Sequence, residues 1–201
     1  MTTLVYRGIH LSLKSRIEQE KIVLPDQFYY RTEFFIQQLL TWNKIHNMTG
    51  ATTKEEIEEH LFDAVYPMSF LPSVENCLDI GTGAGFPGLI MAMAMENTHF
   101  TLVEPLRKRS SFLTFVASSL RLDNVTVIGK KVEDIPAQSF ELITSRAVTA
   151  TEDLLKLSQP FIKEGSLLLY FKGERVYEEV TDDFEYKIIQ APHRNYLLIQ
   201  R

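Results

Sequence analysis

An apolar strand that runs into a glycine-dense turn, and from there straight into a helix, leaves a chain few folds to choose from. Here that feature is Leu78-Asp79-Ile80-Gly81-Thr82-Gly83-Ala84-Gly85-Phe86-Pro87-Gly88. Glycines at alternate positions allow positive φ and let a ligand approach the backbone. Pro87 falls near the first helical turn, where its missing N–H costs little. Around and beyond this turn, strand-like runs at Cys77–Ile80, Phe100–Val103, Val125–Ile128, Phe140–Thr144 and Leu167–Phe171 alternate with helical stretches near 87–96, 106–120 and 151–160. That alternation predicts a parallel sheet covered by helices, an α/β fold. Two last strands, Tyr186–Gln190 and Tyr196–Gln200, are joined by Ala191-Pro192-His193-Arg194-Asn195, too short for a helical crossover, and predict an antiparallel hairpin.

Before the sheet, residues 1–73 read as helical. Phe28, Phe34, Phe35, Leu39 and Leu40 recur near helical spacing after Pro25-Asp26. Asn43 to Gly50 breaks the pattern with turn-forming residues, Thr53-Lys54-Glu55-Glu56 reads as a capping box, and Phe70-Leu71-Pro72-Ser73 reads as a linker. The expected division is a helical cap over 1–69 and a main domain over 70–201.

Composition sets outer limits. The 201 residues, 45% apolar and 23% charged, match an ordinary globular chain of one domain with a small appendage. One cysteine, Cys77, excludes an intrachain disulfide and any CxxC site. The apolar run Leu89 to Met95 ends at Glu96, far short of the roughly 20 residues that cross a bilayer. The first residues have no signal-type stretch, so a reduced, cytoplasmic protein is expected. The 21 basic and 26 acidic residues leave a formal net charge of −5, which counts against nucleic-acid binding by bulk charge.

The glycine turn can be read in two registers. Gly83-Ala84-Gly85-Phe86-Pro87-Gly88 satisfies GxGxxG literally and would suit a dinucleotide, although its first glycine then comes late after the strand. Asp79-x-Gly81-x-Gly83-x-Gly85 resembles motif I of the class I S-adenosylmethionine (SAM) methyltransferases, whose ligand is cationic and tolerates an acid beside the loop. A bare structural turn is the third possibility. Glu104 ends the second strand about 20 residues beyond the glycines, where an acid can accept from both ribose hydroxyls of a nucleoside. Val132 and Glu133, after the third strand, can offer backbone to an adenine ring.

Some chemistry is missing. Attack through a pyrimidine C5 needs a cysteine nucleophile, and Cys77 lies inside a strand. Exocyclic amines are commonly methylated beside an Asn/Asp-Pro-Pro-aromatic tetrapeptide, and the corresponding position reads Thr144-Ser145-Arg146-Ala147. Guanine N7 needs neither, because it has a free lone pair and no proton to lose. No second histidine stands at metal spacing from His60, so no metal is expected. Arg107, Lys108, Arg109, Arg121, Lys130 and Lys131 form a local basic excess that can follow RNA phosphates or simply face solvent. Trp42 and the phenylalanines read as core.

Taken together, the residues resemble the bacterial 16S rRNA guanine-N7 methyltransferases, the glucose-inhibited division protein B family, over nearly the whole chain. The resemblance rests on Trp42-Asn43-Lys44-Ile45-His46-Asn47-Met48-Thr49, His60-Leu61-Phe62-Asp63-Ala64, Asp79 to Gly88 with its Phe86-Pro87-Gly88 ending, and Lys108-Arg109 with Phe112-Leu113. Val132-Glu133, Ser145-Arg146-Ala147 and Lys172-Gly173 complete it. It implies a Rossmann-like class I SAM methyltransferase sheet. It also implies methyl transfer from SAM to N7 of one guanine, the 527-position guanine of 16S rRNA in the small ribosomal subunit. The cofactor is expected against Asp79, Gly81, Gly83, Gly85, Phe86, Glu104, Val132, Glu133 and Arg146, with Arg146 also serving catalysis. RNA is expected at Asn47, Lys108, Arg109 and Lys172. The chain departs from the family pattern at Glu104, where aspartate is commoner, and at Val148, where an aromatic is usual. A monomer without metal or membrane contact is expected. A SAM methyltransferase for another acceptor, or a SAM-binding RNA assembly factor without turnover, remain alternatives.

Overall fold

The computed structural model describes residues 12–146, 148–180, 185–191 and 194–201. Ala147 of the Ser-Arg-Ala element and Pro192-His193 of the terminal connection lie outside the described residues. Seven strands form one sheet: β1 (Asn76–Ile80), β2 (His99–Val103), β3 (Val125–Ile128), β4 (Phe140–Arg146), β5 (Ile162–Lys172), β6 (Tyr186–Ala191) and β7 (Arg194–Gln200), in the order β3-β2-β1-β4-β5-β7-β6. The first five in that order run parallel, and β7 and then β6 add antiparallel, as the hairpin predicted. Helices α1 (Leu13–Gln19), α2 (Phe28–His46), α3 (Lys54–Val65), α4 (Gly88–Ala94), α5 (Arg107–Ser119), α6 (Thr151–Ser158) and α7 (Val176–Glu179) surround it.

Side chains on a strand alternate faces, so each parallel strand feeds two cores. Cys77, Phe100, Leu102, Leu142, Leu169 and Phe171 join one cluster, with α4, α5 and all three N-terminal helices. Leu78, Ile80, Val103, Ile143, Leu168 and Tyr170 join the other, with Leu154 of α6 and Phe161. The N-terminal helices therefore share a continuous core with one face of the sheet. Arg16 of α1 forks onto both carboxylate oxygens of Glu59 in α3 and lies over the Phe62 ring, 4.1 Å from its centroid. The capping box at Thr53 forms as read, with Glu56 N–H donating to the threonine hydroxyl and Glu56 accepting from Thr53 N–H.

Three boundaries differ from the sequence reading. Helix α2 continues through Asn43-Lys44-Ile45-His46, because those residues tolerate helix as long as Asn47 then turns into the left-handed region (φ 48°) and stops it. Strand β4 runs on to Arg146 and β5 starts at Ile162, extended by pairing with each other. Phe70 is no free linker residue: its ring packs edge-on against Tyr66 and Tyr196.

Phe35, fully buried, touches both Phe86 of the glycine turn and Phe112 of α5. Phe35→Ala should cost about 3–5 kcal/mol through the cavity it leaves. Urea unfolding should show one shifted cooperative transition, whereas an unshifted midpoint would show that this contact does not bind the helical layer to the sheet.

Candidate cofactor and acceptor site

In an open α/β sheet, ligands bind beyond the carboxyl ends of the strands where strand order reverses. The reversal here lies between β1 and β4, and the glycine turn leaves β1 at that point. Gly81, Gly83 and Gly85 take φ of +67°, +60° and +109°, a region closed to most side chains. Gly81 and Thr82 donate their N–H groups back to Val103 O of β2, at 2.9 and 3.2 Å. Gly88 is required for space: a Cβ there would lie 2.5 Å from Asp79 Oδ2 and 2.6 Å from Leu102.

Asp79 is 0% exposed. Its Oδ1 accepts from the Thr144 hydroxyl at 2.7 Å and its Oδ2 from Gly88 N–H at 2.9 Å, so it ties β1 to β4 and to the start of α4. Burial raises its pKa, and Thr82, Thr144, Gly88 N–H and Arg146 oppose that shift. It lies behind the turn, outside the cavity lining, and Gly85 is likewise buried against Leu89 and Leu113. The cavity itself, about 580 Å³, has the size of a small-ligand pocket. Gly81, Gly83, Phe86, Glu104, Val132, Glu133 and Arg146 all line it, as do Lys131 and Arg109.

Glu104 is buried where β2 ends, and its two oxygens accept from Gly83 N–H and Leu106 N–H, each at 2.9 Å. Those bonds fix the carboxylate while leaving lone pairs for further donors. Arg146 forms the last pair of β4, opposite Phe171, and places its guanidinium 4.7 Å from the centroid of the Phe86 ring. Burial, helped by the nearby Arg194, lowers its pKa to about 10, so it stays charged at neutral pH. Among the described residues it has no ion-pair partner within 4.0 Å, and all five donors remain for other acceptors.

The RNA candidates separate. Arg109 reaches the cavity, and Lys108 is exposed beside it on the first turn of α5. Asn47 is exposed, and its left-handed backbone ends α2. Lys172 is only 7% exposed: its Nζ donates to Glu179 at 2.7 Å and to Thr149 O at 3.3 Å. Glu179 also accepts from Thr151 N–H and its hydroxyl, so Lys172 braces the segment leading into α6. Arg121 lies at the far end of α5, some 20 Å from its first turn at 1.5 Å per residue, apart from the other basic residues. Sequence reasoning missed Thr144, the Asp63–Arg194 pair (2.7 Å) and the cavity residues Met48, Gly50, Leu106 and Leu157. Thr144 stands two residues before Arg146 with no motif to mark it. The pair joins positions 131 apart. No group of three His, Cys, Asp or Glu side chains that could hold a metal occurs among the described residues, and no helix there is long and apolar enough to cross a membrane.

SAM carries a ribose diol, an adenine, an ammonium, a carboxylate and a sulfonium. The fixed Glu104 acceptor, the apolar Val103, Val132 and Leu157, the acid Glu133 and the cations Arg109 and Arg146 offer a counterpart to each kind of group. A glycine turn at the switch point, with a buried acid ending the neighbouring strand, is the arrangement found in the class I SAM-dependent methyltransferase fold. A family model described as rRNA small subunit methyltransferase G matches residues 30–197, and the chain belongs to that family. The Ribosomal RNA small subunit methyltransferase G of Wolinella succinogenes is 46% identical over 189 residues, covering 94% of this chain and 98% of that protein. Among solved structures, a methyltransferase from Geobacter sulfurreducens aligns over 96% of this chain and 99% of its own, at 15% identity and a TM-score of 0.60. M. jannaschii TYW2, solved in complex with AdoMet, covers 74% of this chain and 75% of its own at 17% identity, with a TM-score of 0.53. The enzyme is a SAM-dependent rRNA methyltransferase.

The raised pKa of Asp79 has a sign that can be checked. An acid whose folded pKa exceeds its unfolded value contributes most stability below the unfolded pKa, here about 3.8, and loses it as pH rises through the folded value. Unfolding of wild type and Asp79→Asn across acid to neutral pH should show the difference moving toward the variant as pH rises. Movement the other way would show that the hydrogen bonds to the carboxylate outweigh its burial.

Proposed function

We propose that this enzyme methylates N7 of a single guanine, the 527-position guanine, in 16S rRNA of the small ribosomal subunit, acting as a monomer. Residues 1–69 form a cap over the catalytic part, 70–201. The observation that carries the acceptor is that the described cavity lining offers no thiol or imidazole, while its two acids, Glu104 and Glu133, are both taken up by the cofactor reading. Cys77 is fully buried in β1 with its thiol pKa raised well above the ordinary value, chiefly by burial, and its sulfur lies 3.8 Å from the Thr144 hydroxyl. Glu104 is held by two backbone amides.

An acceptor used without deprotonation suits such a site, and guanine N7 presents its lone pair directly. SAM, when bound, supplies a methyl group on a sulfonium leaving atom. The chain supplies alignment and field. Glu104 holds the nucleoside end through its free lone pairs, and the backbone at Val132-Glu133 receives the adenine. Asp79 keeps the turn in shape from behind. Arg146, anchored over Phe86, directs its unpaired donors at the cofactor carboxylate or the guanine O6 edge, so that N7 meets the methyl group in line. Lys108 and Arg109 contact RNA phosphates beside the mouth, and Asn47 and Lys172 hold the two segments that frame it.

Tritiated SAM and small subunits lacking the modification test this reading. Label should appear at one guanine, at a position that becomes a strand-scission site under chemistry specific for N7-methylguanine. Label at any other base atom would overturn the acceptor. Arg146→Ala should lower kcat/KM by about 10²-fold or more, in the range of losing an oriented charged donor. Arg146→Lys should recover little, because one ammonium does not replace a planar fork.

A further inference from the structure

Beside the cavity mouth, the last turns of α2 and the exposed side of α5 form a surface that packs on the core from below and stays partly open to solvent. Trp42 is half-buried and stacks on Phe115 of α5, with ring centroids 5.9 Å apart and planes 29° from parallel. Phe115 is 40% exposed, and Ile45, one turn along from Trp42, is 75% exposed. His46 lies 5.7 Å from the Trp42 ring on the same side of the helix. A contiguous apolar, π-faced surface left in water is a candidate interaction site, as scattered single residues are not.

The charges around it point to the partner. Helix α5 opens on Arg107, Lys108 and Arg109 and contains no acid at all. Positive charge at a helix N-terminus opposes the helix dipole, so three cations there are disfavoured by the helix alone. Helix α2 ends with Lys44 and His46 and carries a single acid, Glu33, which Lys54 neutralises at 2.6 Å. In a chain with 26 acids, these two helices are almost cleared of them. Both also run into the site. Met48, Thr49 and Gly50 follow α2 directly into the cavity wall, and Arg109 lines it from α5. Phe115 stands six residues along the helix from Arg109, about 9 Å at 1.5 Å per residue, within reach of a nucleotide next to one held in the cavity.

We propose that Trp42, Phe115 and Ile45 form a stacking platform for one or two unpaired nucleotides flanking the target guanine, with Lys44, Lys108 and Arg107 on the adjoining phosphates. The proposal rests on the RNA reading above and extends it. It names single-stranded RNA as the occupant, because every base offers a π-face and stacking with basic flanks is how unpaired strands are held.

Trp42 is the only tryptophan, so its emission reports on the platform directly. Adding a short single-stranded oligoribonucleotide should quench it saturably, in step with binding followed by anisotropy, and a duplex of the same length should quench it far less. In methyl transfer, Phe115→Ser and the gentler Ile45→Glu should each raise KM for RNA about tenfold, while SAM affinity measured by calorimetry stays within twofold. Binding without any change in Trp42 emission, or an unchanged KM in Ile45→Glu, would overturn the platform. So would a KM that rises only with assembled particles while naked RNA binds both proteins equally, since a ribosomal protein would then be the occupant. If wild type transfers no methyl group to small-subunit RNA, the functional reading itself fails. If transfer is normal and only these signals are missing, the platform alone does.

Discussion

One buried carboxylate sets the geometry on which the site depends. Asp79 is enclosed, and its oxygens take up the Thr144 hydroxyl from β4 and the Gly88 N–H that begins α4. A carboxylate out of water is costly unless its lone pairs are matched by donors. The strand, the neighbouring strand and the helix are thereby brought to one point, and the turn between them has little choice of path. Gly88 must lack a side chain because that point is already full. Residues 81–86 are then pushed outward as a ledge over the strand ends, where Gly83 N–H meets Glu104. The acid of the motif acts as the fastener of the ligand platform, and the acid at the end of β2 faces the cavity. Two similar carboxyl groups thus take different work from their surroundings alone.

The same constraint explains which parts of the molecule could be read from the chain. The glycine turn, the capping box at Thr53 and the alternation of strands and helices are local patterns, and the structure forms them within a residue or two except at β5, which starts five residues earlier by pairing with β4. The family elements are local as well, which is why Phe86, Glu104 and Arg146 could be named together. What escaped depends on contacts made late in the fold. Lys172 looks like any exposed lysine after a strand, and only the return of α7 with Glu179 buries it. Arg194 and Asp63 are 131 positions apart. Helix α2 outlasts its turn-forming residues because a left-handed Asn47, not composition, ends it.

Trp42 is the most instructive case. Tryptophan is usually enclosed, and reading it as core follows the general rule. The structure sets it edge-to-face with Phe112 inside and stacks it on Phe115 near solvent. A ring can therefore be a structural member and an exposed surface at once, and no linear pattern separates the two roles.

That double role has a mechanical consequence. Trp42 touches Phe112, Phe112 touches Phe35, Phe35 touches Phe86, and Phe86 carries the Arg146 guanidinium. Interiors packed at crystal-like density transmit displacement instead of absorbing it. A nucleotide pressed onto Trp42 would therefore be felt, through four rings, at the cation that lines the cavity. Charge follows the same line, since the acids cleared from α2 and α5 leave the basic rim of one small mouth in a chain whose total is −5. On the proposed reading of a single target base, recognition and alignment are not separate events: the contact that identifies the flanking strand is also the one that settles Arg146 over Phe86.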